Sequence, residues 1–320
     1  MGLIRKLAHR VRVAGRRMVG SAQPRVVMTL LCRNEGDVIG EQIAFHLAMG
    51  VDLVIAMDNN SHDNTVALLQ HFERAGKLRL LRQPDRNFDQ GGWVTSMARM
   101  GALEHGADWI INSDADEFWW PESGDFKSTL AAQPKKVNLV VAQRVNFRPS
   151  RLDDRPFYER MLVRELVSEK FRGGKLEPKV AHRAYPDVRV QHGNHGVSLG
   201  SRKPKRAPHG TIQILHFPIR TYSQWMRRIN EGAAILEEHP DHTPWISGGW
   251  RHMRDHYVKA GTLRTYFESL ALDPADIATA PDKAYLTIDT RIRDVIRANQ
   301  RLLPVMQACN TATGPIIGVS

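Results

Sequence analysis

Cysteine is nearly absent. Cys32 and Cys309 are the two in 320 residues, so neither a disulfide framework nor a cysteine-based zinc site can be argued from this chain. A reducing, cytosolic setting is the matching expectation. Long apolar runs are missing too: no stretch reaches the roughly 18 apolar residues of a membrane span, so we expect no transmembrane helix. There is no internal repeat and no low-complexity tract, which removes solenoid and fibrous architectures. Acidic residues are the minority charge, 34 against 45 Lys and Arg, for a net +11. That excess suits polyanionic partners: nucleic acid, anionic lipid or phosphorylated substrates. No specific nucleic-acid partner is expected, because no RNP-type, KH or zinc-finger pattern accompanies the charge.

Residues 1–22 carry an amphipathic pattern. Leu3, Ile4, Leu7, Val11, Ala14 and Met18 recur at helical spacing, while Arg5, Lys6, Arg10, Arg12, Arg16 and Arg17 interrupt any signal-peptide core. We expect a basic helix whose residues 1–20 rest on an anionic membrane surface. The corresponding location is cytoplasmic, peripheral on the inner face of a membrane. Arg202-Lys203-Pro204-Lys205-Arg206 reads as an exposed basic loop.

From Val26 onward, short apolar runs alternate with helical patterns. Val26 to Leu31, Leu53 to Met57, Leu78 to Leu81 and Trp109 to Ile111 read as buried strands. Helical spacing follows Ile39, Thr65 and Val94, with Gly50 and Gly76 as stops. This alternation predicts an α/β fold with a mainly parallel, doubly wound sheet. Later strands are expected over Val137 to Val145 and Thr211 to Phe217. Later helices are expected over Thr221 to Glu238 and from Asp289 to Leu303, the last with Ile292, Val295, Ile296 and Leu302 inward. We divide the chain into the basic helix (1–22), a regular α/β half (23–145), a less regular half (146–240) and a helical C-terminal extension (241–320).

The chemistry concentrates at strand ends. Trp109-Ile110-Ile111 runs into Asp114, Asp116 and Glu117, three carboxylates within four residues. Such acids repel one another unless a cation neutralises them, and Mg²⁺ or Mn²⁺ with oxygen ligands is the natural partner. Two more polar turns, Arg33-Asn34-Glu35-Gly36-Asp37 and Asp58-Asn59-Asn60-Ser61-His62-Asp63-Asn64, also follow strands. In a parallel sheet all three would meet at the carboxyl edge, where ligands bind.

These residues resemble a GT-A fold glycosyltransferase of the family 2 type over about residues 25–240. Cys32-Arg33-Asn34-Glu35 is similar to that family's first-strand turn, Asp58 to Thr65 to its Asp-x-x-Ser-x-Asp-x-Thr element, and Asp114-Ala115-Asp116 to its Asp-x-Asp motif. The resemblance implies a GT-A (Rossmann-like) mixed, mainly parallel sheet flanked by helices, with 23–145 as the nucleotide-sugar-binding half, 146–240 as the acceptor-binding half and a C-terminal helical extension on the acceptor side. It implies a nucleotide-sugar donor, UDP being the commonest carrier, held by Arg33, Asn34, Glu35, Asp58, Asn60, Asp63 and Asp114. Lys179, with Lys175 and Arg183, serves either the diphosphate or the surface. It implies Mn²⁺ or Mg²⁺ on Asp114 and Asp116, a catalytic role for Asp116, and a later histidine ligand, which His195 supplies. The acceptor would be a glycan, lipid-linked or cell-surface molecule. An inverting transfer also needs a carboxylate base. Asp187, Glu231, Asp241 and Asp255 are all candidates, and Glu231 is our choice.

The chain departs from processive members of that superfamily. Gln224-Trp225-Met226-Arg227-Arg228 has the Gln and Arg of their Gln-x-x-Arg-Trp element without the final Trp, and Trp225 reads as an inward anchor. His216-Phe217-Pro218 and the region Trp245 to His256 are candidate acceptor-site material. Two other classes compete: a nucleotidyltransferase, which usually carries a Gly-rich basic loop after the first strand, and a non-enzymatic basic protein binding nucleic acid or anionic membrane.

Overall fold

The computed structural model describes residues 23–84, 89–152, 155–170, 173–238 and 248–302. β1 (Val26–Cys32), α1 (Ile39–Ala48), β2 (Leu53–Asp58), α2 (Thr65–Arg74), β3 (Leu78–Arg82), α3 (Gln90–Leu103) and β4 (Trp109–Ser113) alternate as expected. β1, β2 and β4 are apolar almost throughout because helices cover both faces of the sheet. One correction concerns α3. It begins at Gln90, ahead of the helical spacing expected from Val94, because Asp89 caps it by accepting from Gly92 N–H at 2.9 Å.

The chain continues through β5 (Glu117–Pro121), α4 (Phe126–Ala131), β6 (Leu139–Asn146), α5 (Phe157–Arg160), β7 (Val163–Glu165), β8 (Lys179–Arg183), β9 (Arg189–Val190), β10 (Val197–Ser198) and β11 (Ile212–His216). Then come α6 (Tyr222–Glu238), α7 (Gly248–Met253), α8 (Leu263–Leu270), α9 (Pro274–Thr279), β12 (Leu286–Ile288) and α10 (Arg291–Ala298). Among the described residues, eight strands form one sheet in the order β3-β2-β1-β4-β8-β6-β11-β5. β8 and β5 run antiparallel to their neighbours and the rest are parallel. This is the mixed, mainly parallel GT-A arrangement that the motifs implied. β8 went unseen in the sequence, since its Lys179, His182 and Arg183 disguise a central strand.

Two apolar layers cover the sheet. One, around Ile39, Phe45, Leu69, Trp109, Phe118, Trp119 and Phe217, also takes in Ile292 and Ile296 of α10. The other sets Trp93, Val94 and Met97 of α3 against Val27, Ile55 and Ile110. Trp225 anchors a smaller core with Ile229, Met253, Leu263 and Phe267, the inward role expected of it. The C-terminal segment is not wholly helical: β12 pairs with β7 in an antiparallel ribbon. Of the four residues expected inward near the end, Ile292 and Ile296 are buried and Val295 packs against the core. Leu302 is exposed, because a 3₁₀ turn at Gln300–Leu302 carries it off the α10 face.

Candidate functional site

The three polar turns meet at the carboxyl edge of the sheet. β1 and β2 are paired so that Cys32 faces Asp58, which brings their following turns together. Asn34 fastens them. Its backbone N–H donates to Ser61 Oγ at 2.9 Å, and its side-chain oxygen accepts from His62 N–H at 2.8 Å. Its amide also donates to Glu231 Oε1 at 2.8 Å, reaching across to α6. Among the described residues, three non-glycine positions adopt positive φ: Asn34 (53°), Asn60 (58°) and Asn194 (59°). Each lies in one of the loops at this edge. Asparagine is the residue that takes that left-handed conformation at least cost while its side chain satisfies nearby backbone groups.

The acidic element leaves β4 as a tight turn, closed by Glu117 N–H to Asp114 O at 3.2 Å, and passes into β5. Because β5 pairs with β11, this turn places Asp116 beside the carboxyl end of β11, and Phe217 N–H donates to Asp116 O at 2.9 Å. His216 is thereby brought to the aspartate, with its Nε2 3.5 Å from Asp116 Oδ2. The cleft above, about 220 Å³, is lined by Arg33, Glu35, Asn59, Asp114, Asp116, Arg228, Glu231 and Trp250. Gly232 lets Trp250 lie on α6, since a Cβ there would come within 2.9 Å of the indole.

Charge in the cleft is densely compensated. Burial pushes the Asp116 carboxyl up, but Arg228, which bonds Oδ2, and His216 hold it well below the usual range. Asp114 is likewise raised by burial yet lowered overall, chiefly by Lys179. Burial lifts Glu117 to about 7 despite Lys179 and Arg144, and Glu35 to about 7 despite Arg220 and Arg228. Arg220, only 1% exposed, ties the first turn to the chain after β11. It donates to Asp37 Oδ2 (2.7 Å), Glu35 Oε2 (2.6 Å) and Phe217 O (3.1 Å).

Not every expected residue faces the cleft. Arg33, Glu35, Asp114, Asp116 and Glu231 line it. Asn34 holds the turns together from behind. Asp58 is buried next to the wall, its Oδ2 accepting from Arg82 at 3.0 Å and its Oδ1 without a hydrogen-bond partner among the described residues. Asp63 is occupied as a turn residue, accepting from Thr65 N–H and Gly36 N–H. Asn60 supplies the left-handed bend of its loop. Lys179 is 1% exposed, bonded to Asp114 and 3.3 Å from Glu117, the buried counter-ion of the acidic turn. His195 stands with its Nδ1 2.9 Å from Pro178 O and its Nε2 3.3 Å from Glu177, while the histidine next to Asp116 is His216. Of the candidate bases, Asp187 pairs with Arg202, and Asp255 with Lys259 and Arg254. Asp241 and Trp245, like residues 1–22, lie outside the described residues.

His216, Arg220 and Arg228 carry more of the site than the sequence reading gave them. The signal was present in His216-Phe217-Pro218 after a strand, and in Arg228 one helical turn before Glu231. The donor types fit a divalent ion. Burial holds His216 below its ordinary pKa. Its Nδ1 lies 2.8 Å from Asn146 Oδ1, which orients the ring so that Nε2 faces the Asp116 carboxylate. Among the described residues no three such ligands cluster. One or two protein ligands completed by substrate phosphates and water is the usual pattern for Mg²⁺.

The sequence profile of glycosyltransferase family 92 matches residues 33–217, more than half of the chain. No curated protein matches in a sequence search. Among solved structures, glucosyl-3-phosphoglycerate synthase from Mycobacterium tuberculosis, crystallised with Mn²⁺, UDP and glucosyl-3-phosphoglycerate, is 15% identical. That match covers 42% of this chain and 47% of the synthase, less than half its length, with a TM-score of 0.28. S. aureus TarS 1–349 in complex with UDP is 10% identical over 90% of this chain and 87% of that one, with a TM-score of 0.39.

Proposed function

The chain belongs to glycosyltransferase family 92, and from that premise we propose that it moves a glycosyl unit from a nucleotide-sugar donor to a glycan, lipid-linked or cell-surface acceptor. The observation that carries this reading is the meeting of Asp114, Asp116, Arg228, Glu231 and Glu35 around one cleft, with His216 at its base. The nucleotidyltransferase and non-enzymatic readings give way to the family match.

The acceptor hydroxyl attacks the anomeric carbon from the side opposite the diphosphate. A new carbon–oxygen bond forms, the bond to the phosphate oxygen breaks, and the nucleoside diphosphate leaves with the electron pair. Glu231, on the cleft wall and oriented by Asn34, takes the hydroxyl proton. When Mn²⁺ or Mg²⁺ is bound through Asp116 and Asp114, with His216 beside them, it supplies Lewis-acid neutralisation of the leaving group. Arg33 and Arg228 face the same space and add positive charge. The unpartnered, buried Asp58 Oδ1 favours a base that offers an N–H donor, as uracil does. Residues 1–20 complete the proposal as a contact with the inner face of an anionic membrane, and their deletion should release the protein from anionic vesicles.

Calorimetric titration with UDP, GDP, CDP and dTDP, each with and without Mn²⁺, tests the donor reading. Binding of one nucleotide that collapses without metal supports it. A folded sample that binds none overturns it.

A further inference from the structure

Asp116 is 1% exposed and already has a cation: Arg228 of α6 bonds its Oδ2, and that oxygen is also the one facing His216. A divalent ion held at this edge would draw on the same carboxylate. Two cations on one carboxylate compete, because their mutual repulsion in a partly desolvated cleft is larger than in water. Arg228 is also built to leave. Its side chain is 30% exposed where that of Asp116 is 2%. Its guanidinium at the same time lies 5.3 Å over the ring of Trp250, which can keep hold of the cation when its bond to Asp116 is given up.

We propose that Arg228 is a tethered counter-ion that exchanges between Asp116 and the donor diphosphate. In the empty site it neutralises Asp116 and competes with free divalent ions. Donor loading supplies the diphosphate oxygens that accept the guanidinium, so metal and nucleotide enter together. This positioning role rests on the donor reading above.

The test is Mn²⁺ affinity of the nucleotide-free full chain, read by electron paramagnetic resonance, for wild type, Arg228→Gln and Arg228→Lys. UDP titrations with Mn²⁺ run in parallel. Arg228→Gln should bind Mn²⁺ more tightly than wild type by roughly tenfold or more, the scale of one hydrogen bond to a charged group, and should bind UDP more weakly. Arg228→Lys, which keeps the charge and guards against a folding defect, should stay closer to wild type in Mn²⁺ affinity. Tryptophan fluorescence adds a readout independent of turnover: wild type should respond to UDP with Mn²⁺, and Trp250→Phe should lose part of that response. If wild type binds UDP but Arg228→Gln leaves Mn²⁺ affinity unchanged or weaker, the exchange is overturned while the donor reading stands. If wild type binds no nucleoside diphosphate, both fall.

Discussion

Replacing Arg220 by Met should destabilise the protein by about 3 kcal/mol at pH 8 and by clearly less at pH 5. The guanidinium is buried and bonded to Glu35, Asp37 and Phe217 O, so its removal strands two carboxylates and a carbonyl. Breaking a buried ion pair from one side costs about 3–5 kcal/mol. The lower end applies because the Asp37 side chain is 37% exposed and water can solvate it. Glu35 gives the pH dependence. Its folded pKa, about 7, lies above its ordinary 4.5, so the stability it contributes is full below 4.5 and is lost as pH rises through 7. Without Arg220 the folded value moves higher still, and the loss continues above 7. Asp37 has a lowered folded pKa, so its contribution is lost only as pH falls below its ordinary 3.8 and is the same at both test values. Urea unfolding followed by tryptophan fluorescence at pH 5 and pH 8 reads both effects. A penalty under about 1 kcal/mol at pH 8, within the range of ordinary substitutions, or one equal at both pH values, would refute the reasoning.

Glu231→Gln keeps the shape and the bond to Asn34 but cannot take a proton. Turnover should fall on the order of 10²–10⁴-fold with UDP affinity unchanged, and steady-state kinetics beside calorimetry would expose a purely structural role. Lys179→Met leaves Asp114 and Glu117 without their buried counter-ion. It should cost about 3–5 kcal/mol at neutral pH, and a Met variant as stable as wild type in urea would show that Lys179 is not the internal cation described. Asn34→Ala removes the bonds to His62 and Glu231 and forces alanine into positive φ. A loss of about 2 kcal/mol with a larger fall in kcat than in UDP affinity is expected, and a change confined to stability would argue against its holding Glu231.

Much of the fold was legible because parallel strands covered on both faces must be apolar along their whole length. Val26 to Leu31, Leu53 to Met57 and Trp109 to Ile111 announced themselves in that way. The acidic turn was equally readable, since Asp114, Asp116 and Glu117 have no place at a buried strand end without cations to match them. Hence the sequence alone determined the α/β alternation, the edge on which the site lies and the acids within it. Which cations answer those acids was settled by tertiary pairing. Lys179 reaches Asp114 because an antiparallel strand inserts beside β4. His216 and Arg228 reach Asp116 because β5 pairs with β11 and the chain then turns into α6. These partners lie 65, 100 and 112 positions along the chain from the carboxylates they meet. No local period encodes such separations; they follow from sheet order and from the cost of burying a charge alone.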